Sequence, residues 1–170
     1  MTDAVDAIFE RASVRAYTDE SVSDEDVVSI LRAAMAAPSA GNQQPWGFVV
    51  CRDESVRRAL AEASPYAKPC AAAPTVIVFM MRSEGVRFPS MAPQDLSAAI
   101  ENSLLRATEL GLGTVWMGIY PETERVEAVR AALGTNSGDV PFALVAVGHP
   151  AGKVTAKGAS RYDEGRITWL

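Results

Sequence analysis

The chain carries almost no histidine. His149 is the only one in 170 residues, which argues against a histidine-rich metal site, an HExxH helix or a Ser-His-Asp triad. Cysteine is nearly as scarce. Cys51 and Cys70 have no CxxC spacing, and Cys51 closes an apolar run, so it reads as a buried, inert thiol. No apolar run reaches the roughly 20 residues that a membrane-spanning helix needs. The opening stretch MTDAVDAIFE is acidic and lacks the charged-then-apolar layout of a secretion signal. Positive charge is short as well. A net charge of −5 makes the surface as a whole repel nucleic acid and anionic membrane. There is no GxxxxGK[ST] and no GxSxG, and Gly111-Leu112-Gly113 fails the dinucleotide fingerprint because Trp116 stands at its sixth position. The expectation is a cytoplasmic protein with no metal, nucleic-acid or membrane partner. If it is an enzyme, its chemistry belongs to a cofactor rather than to a catalytic side chain.

What is present fits one α+β domain over residues 1–170, with 48% hydrophobic and 22% charged residues. A chain this long can bury roughly 70% of its unfolded surface. Val5, Ile8, Phe9 and Ala12 predict a helix from Asp3 to Arg11. Ser23 with Asp26 resembles a capping box and starts a second helix, striped by Val27, Ile30, Leu31, Ala34 and Met35. The acidic Asp24-Glu25-Asp26 falls in that helix's first turn, where the dipole favours it. A strand Gly47–Cys51, a charged helix Ser55–Ala63 and a Pro-bounded segment Ser64–Pro74 follow. Thr75–Met81 is apolar throughout and reads as a central strand covered on both faces. Residues 82–93 read as a loop and a candidate lid over a site.

Asp95–Leu110 is the longest predicted helix, closed by Gly111 or Gly113. It is apolar on two faces, Leu96, Ile100, Leu104 and Ala107 on one and Ala98, Asn102 and Leu105 on another; a second copy of the chain would supply the extra neighbour. A strand Thr114–Gly118, a helix Thr123–Leu133 and a core strand Phe142–Val147 complete the pattern. Gly148-His149-Pro150 shapes a turn. The polar tail beyond it, ending Ile167-Thr168-Trp169-Leu170, either hangs free or docks on a partner.

Two stretches stand out for function. Ala37–Trp46 (APSAGNQQPW) carries no charge but many amide and hydroxyl groups. It is either a helix cap and turn or a surface for a planar, polar, mostly uncharged ligand. Arg11, Ser13 and Arg15 alternate, so in an extended segment they project on one side. They form either a solvated basic face or an anion site whose guanidinium forks suit phosphate.

Taken together, Arg11-x-Ser13-x-Arg15-x-Tyr17, Pro38-Ser39-Ala40-Gly41-Asn42-Gln43-Gln44-Pro45-Trp46, Ala98-Ala99-Ile100-Glu101-Asn102, Leu110-Gly111-Leu112-Gly113, Trp116-Met117-Gly118 and Gly148-His149-Pro150 resemble the nitroreductase family of FMN-dependent oxidoreductases, in its compact branch. The matches fall in the family's order and cover nearly the whole chain. The resemblance implies a mixed, mainly antiparallel sheet flanked by helices, in an intertwined homodimer with FMN at the interface. It implies that Arg11, Ser13, Arg15 and the tail's Arg161 hold the FMN phosphate. Pro38, Ser39, Ala40, Asn42 and Gln44 would meet the flavin of the other subunit, and the backbone N–H of Met117 or Gly118 would approach flavin N5, glycine permitting close approach.

The chain departs from larger members at Tyr66-Ala67-Lys68-Pro69-Cys70, where they place an Asn and a Lys to address the flavin pyrimidine; only Lys68 is available. The implied activity is hydride transfer from NAD(P)H through the flavin to a nitroaromatic, quinone or similar acceptor, in two half-reactions. Reductive dehalogenation, flavin fragmentation or an FMN store or sensor are the alternatives. The physiological acceptor and the choice between NADH and NADPH stay open.

Overall fold

The computed structural model describes residues 4–135 and 138–170. Six helices and four strands run in the order α1 (Ala4–Glu10), α2 (Asp24–Met35), β1 (Trp46–Cys51), α3 (Glu54–Ala61), α4 (Pro69–Ala72), β2 (Thr75–Met81), α5 (Ala92–Glu109), β3 (Gly113–Gly118), α6 (Thr123–Leu133) and β4 (Val140–Gly148). The strands form one sheet in the order β1-β2-β4-β3, with every pairing antiparallel. The only parallel contact among the described residues is a single bridge between Ser13 and Thr114. The expected mainly antiparallel sheet is therefore present, and β1 and β3 are its two outer strands.

Alternation along the strands builds two cores. Ile77 and Phe79 of β2, with Val145 and Val147 of β4, face α2 and α5. Val76, Val78 and Met80, with Leu144 and Ala146, face α3, α4 and α6. All seven β2 residues except Met81 are buried, as a strand covered on both faces requires. Phe79 is fully buried and packs edge-on against Phe48 at 5.1 Å; cutting such a ring back to alanine costs about 3–5 kcal/mol.

Local signals in the sequence account for most boundaries. Ser23 Oγ accepts the Asp26 N–H at 3.0 Å and donates to Asp26 Oδ2 at 2.7 Å, so Ser23 caps α2 as expected, while the shorter Asp26 side chain bonds the Ser23 hydroxyl. Asp53 caps α3 by accepting from the N–H groups of Ser55 and Val56. Two boundaries differ from expectation. Pro69 starts the one-turn helix α4 inside the Pro-bounded segment Ser64–Pro74, for which no helix was expected. Residues 89–91 form a 3-10 turn that lets α5 begin at Ala92, three residues early. Asp3, the expected start of α1, lies outside the described residues.

The two-faced character of α5 has an internal explanation. Asn102 Nδ2 donates to the Ala33 carbonyl of α2 at 3.1 Å, and Ala98 and Leu105 are half-buried. Part of the neighbour expected from a second copy is thus α2 of the same chain.

Candidate functional site

The site grows from the way the N-terminal segment lies on β3. Val14 donates its N–H to the Thr114 carbonyl at 2.8 Å, and Ser13 bridges Thr114. That approach depends on Gly113, where an added Cβ would stand 2.7 Å from Val14 Cβ, closer than carbon atoms pack. Tyr17 then turns the segment toward Pro150, and its hydroxyl donates to the Val14 carbonyl at 2.5 Å. Burial pushes the Tyr17 phenol far above its ordinary range, which keeps it a proton donor in that bond.

Two adjoining cavities open along this strand. One of about 650 Å³ is lined by Arg15, Tyr66, Lys68, Met117, Gly118 and Arg125. The other, about 420 Å³, is lined by Arg11, Ser13, Glu101, Thr114 and Gly118. Trp116 and Gly118 belong to both. Arg11 and Ser13 line the second cavity and Arg15 the first, while Ser13 and Arg15 also share a smaller hollow beside Pro150, where Arg15 Nη1 donates to the Ser13 carbonyl at 3.4 Å. Arg11 is also occupied, its Nε lying 3.3 Å from Glu101 Oε1. Sequence reasoning missed that pairing, although Glu101 and Arg11 both stand in motifs it singled out. Arg15, Lys68 and Arg125 form no ion pair among the described residues.

Pro38, Ser39, Ala40, Asn42 and Gln44 sit elsewhere. Their loop leads into β1, so the sheet separates it from β3 by three inter-strand spacings, about 14 Å. It is locally over-determined. Gly41, Asn42 and Gln44 all have left-handed φ, at 55°, 54° and 48°, a cost that surrounding bonds must offset. Asp95, buried in the first turn of α5, accepts from Ala40 N at 3.0 Å and from Gln43 Nε2 at 2.7 Å. Ser39 Oγ accepts from Gln44 N, and Asn42 Oδ1 from Gln44 Nε2, both at 3.0 Å. Gln43 Oε1 accepts from Phe88 N at 2.7 Å. The segment before α5 therefore packs on this loop, away from the β3 cavities of the same chain. Sequence reasoning missed Asp95, because a lone aspartate near a helix start looks like an ordinary dipole partner.

Arg161 is exposed on a 3-10 turn in the tail. The tail returns to the first helix just before it, since a Cβ on Gly158 would meet the Phe9 carbonyl at 2.7 Å. Cys51 and Cys70 are buried free thiols, pushed by burial up to about 11 and about 12. His149 stands after β4, with Nε2 3.7 Å from Glu20, and its carbonyl accepts the Thr18 N–H.

A sheet with helices on both faces thus carries a partly cationic cleft of about 650 Å³ beside its outer strand β3. The nitroreductase family model matches residues 8–65 and 64–149, and the chain belongs to that family. A protein of Archaeoglobus fulgidus, provisionally described as an NADH dehydrogenase/NAD(P)H nitroreductase, is 43% identical over 151 residues, 88% of this chain and 87% of that one. A structure from Bacteroides thetaiotaomicron under the same provisional description is 37% identical with a TM-score of 0.91, covering 99% of this chain and 98% of its own. A provisionally named nitroreductase of Desulfovibrio desulfuricans, solved in complex with FMN, is 35% identical with a TM-score of 0.80, covering 92% and 91%. No helix among the described residues is long and apolar enough to cross a membrane.

Proposed function

We propose that this chain is an FMN-dependent NAD(P)H oxidoreductase that runs two half-reactions in turn through the β3 cleft. One observation carries the reading. Arg15, Lys68 and Arg125 converge without carboxylate partners on a cavity of about 650 Å³ floored by Val115, Met117 and Gly118. A concave site of that size, part apolar and part cationic, suits a planar ring with an anionic tail. The donor set fits FMN, and the FMN complex of the Desulfovibrio desulfuricans relative supports the same cofactor. When bound, FMN supplies the redox chemistry, taking a hydride from NAD(P)H and passing it to an electron-poor acceptor such as a nitroaromatic or quinone.

The protein's part is to hold, orient and polarise. Arg11 and Ser13 offer charged and neutral donors to phosphate oxygens, Arg11 exchanging its Glu101 contact for the ligand, with Arg161 as an added cation from the tail. Arg15 and Lys68 supply positive charge where a reduced flavin is anionic, which favours the reduced form. The N–H of Met117 or Gly118 is the donor for N5. No side chain of the chain acts as nucleophile or base.

The second half of the site comes from a second copy of the chain. Pro38, Ser39, Ala40, Asn42 and Gln44 are held rigidly but about three strands from the cleft, so they serve the flavin of a partner in a homodimer. Exposed Ile8, Phe9, Met35 and Trp169 supply apolar surface for such an assembly.

Steady-state turnover of NADH and NADPH with menadione tests the reading. Parallel double-reciprocal lines are expected for two half-reactions that share one site. Binding of FMN without turnover by either nucleotide would leave a store or sensor instead, and product analysis with nitro and halogenated aromatics separates reduction from dehalogenation.

A further inference from the structure

Arg125 is the cleft cation that neither the phosphate nor the pyrimidine assignment uses. It sits in the first turn of α6, and its Nη1 reaches the Gly118 carbonyl only at 3.4 Å. Its Cζ lies 5.7 Å from the Tyr66 ring centroid, and it forms no ion pair among the described residues. A guanidinium has five donors in a fixed fork, so most of its capacity is unspent. Tyr66 is 71% exposed, a large aromatic left in water beside that charge. No carboxylate lines this cavity, although the whole chain is net −5. The local field therefore opposes the global one, and it is strongest where two guanidiniums and an ammonium share a low-dielectric wall.

From this placement we infer that Arg125 and Tyr66 form a subsite for the second ligand of the cleft, a planar aromatic molecule carrying an oxyanion. The ligand's ring stacks on Tyr66 and its anion takes the Arg125 fork, which sets it beside Gly118. The anion is either the carboxylate of an aromatic acceptor or the 2′-phosphate of NADPH. The inference rests on the cleft being the flavin site.

The test compares 4-nitrobenzoate with nitrobenzene as acceptors of the FMN-loaded protein, and NADPH with NADH as reductants, in the parent, Arg125→Gln, Arg125→Lys and Arg58→Gln. Losing a charged hydrogen bond predicts that Arg125→Gln lowers one of two selectivities, 4-nitrobenzoate over nitrobenzene or NADPH over NADH, each measured as a ratio of kcat/KM values, by on the order of tenfold. Arg125→Lys keeps part of it. Arg58→Gln, which removes a cation from the exposed face of α3, keeps all of it. A fall confined to 4-nitrobenzoate assigns the carboxylate of an acceptor, and a fall confined to NADPH assigns the nucleotide phosphate. Unchanged ratios in Arg125→Gln overturn the subsite, and so does a loss of FMN retention in that variant, which would give Arg125 to the cofactor. Calorimetric titration of the purified protein with 4-nitrobenzoate reads the subsite without turnover. Weaker binding to Arg125→Gln in a protein that does not oxidise NAD(P)H would keep the subsite and sink the redox reading.

Discussion

The two outer edges of the sheet are both polar, but they are polar in opposite ways. At β3 the charged groups point into a cavity with their partners missing, Arg15, Lys68 and Arg125 above all. At the entry to β1 the amides and hydroxyls of residues 38–44 are bonded to one another and to Asp95. Cations that face a cleft without carboxylate partners leave most of their donors free for a ligand. Satisfied donors on a left-handed backbone mark a surface already in its working shape. On the proposed reading the β3 edge binds the flavin and the β1 edge presents a finished surface to the flavin of a second copy.

Breaking the receiving edge should have the largest effect. Each lost charged hydrogen bond costs about 1.5–3 kcal/mol, so Arg11→Ala with Arg15→Ala should weaken FMN binding by on the order of 10²–10⁴-fold. Equilibrium dialysis of the reconstituted double variant measures this, and full flavin loading after purification would return Arg11 and Arg15 to a solvated basic face.

Breaking the presenting edge should act on stability first. Asp95→Ala strands the part-buried Ala40 N–H and leaves the Gln43 amide with only the Phe88 carbonyl, at a cost of about 1–3 kcal/mol. Thermal melts should show Tm falling by several degrees, with Asp95→Asn losing less because one acceptor survives. An unaltered melt for Asp95→Ala would mean that residues 38–44 keep their shape without the clamp.

A third comparison uses pH, at the cap of α3. Hydrogen bonds from Ser55 and Val56 lower the Asp53 pKa below 3.8, so its contribution is present above that value and is lost as pH falls through the folded-state pKa. Asp53→Ala should lower Tm by roughly 2 °C at neutral pH, and the gap should close in melts at progressively lower pH. A gap that persists in strong acid would show that the ionised carboxylate is not what caps the helix.

The smallest effect expected is none. Burial pushes Cys51 up to about 11 and Cys70 up to about 12, so both remain protonated near neutrality. Iodoacetamide at pH 8 should leave the folded protein unlabelled and fully active, and label both thiols only after denaturation.

Most of the fold was legible because its signals are local. The Ser23–Asp26 cap, the unbroken apolar run of β2 and the amphipathic stripe of α6 each fixed an element nearly to the residue. The start of α5 was not, because Pro89 allows a 3-10 turn that periodicity does not register. The site was legible in its members and not in its geometry. Arg11, Ser13 and Arg15 do lie at β3, but only the three-dimensional structure shows that Glu101 already holds Arg11 and that Arg125 arrives from α6. Asp95 was hidden for the same reason: its partners are 55 and 52 residues away in the chain.

The account stands or falls on whether the receiving edge holds a flavin that NAD(P)H can reduce. The most direct measurement is the visible spectrum of freshly purified protein under anaerobic conditions, before and after each nucleotide. The account predicts a flavin spectrum that bleaches on addition of NADH or NADPH and returns with menadione. A colourless protein that fails to take up added FMN would contradict it, and the cations of the β3 cleft would then belong to some other anion.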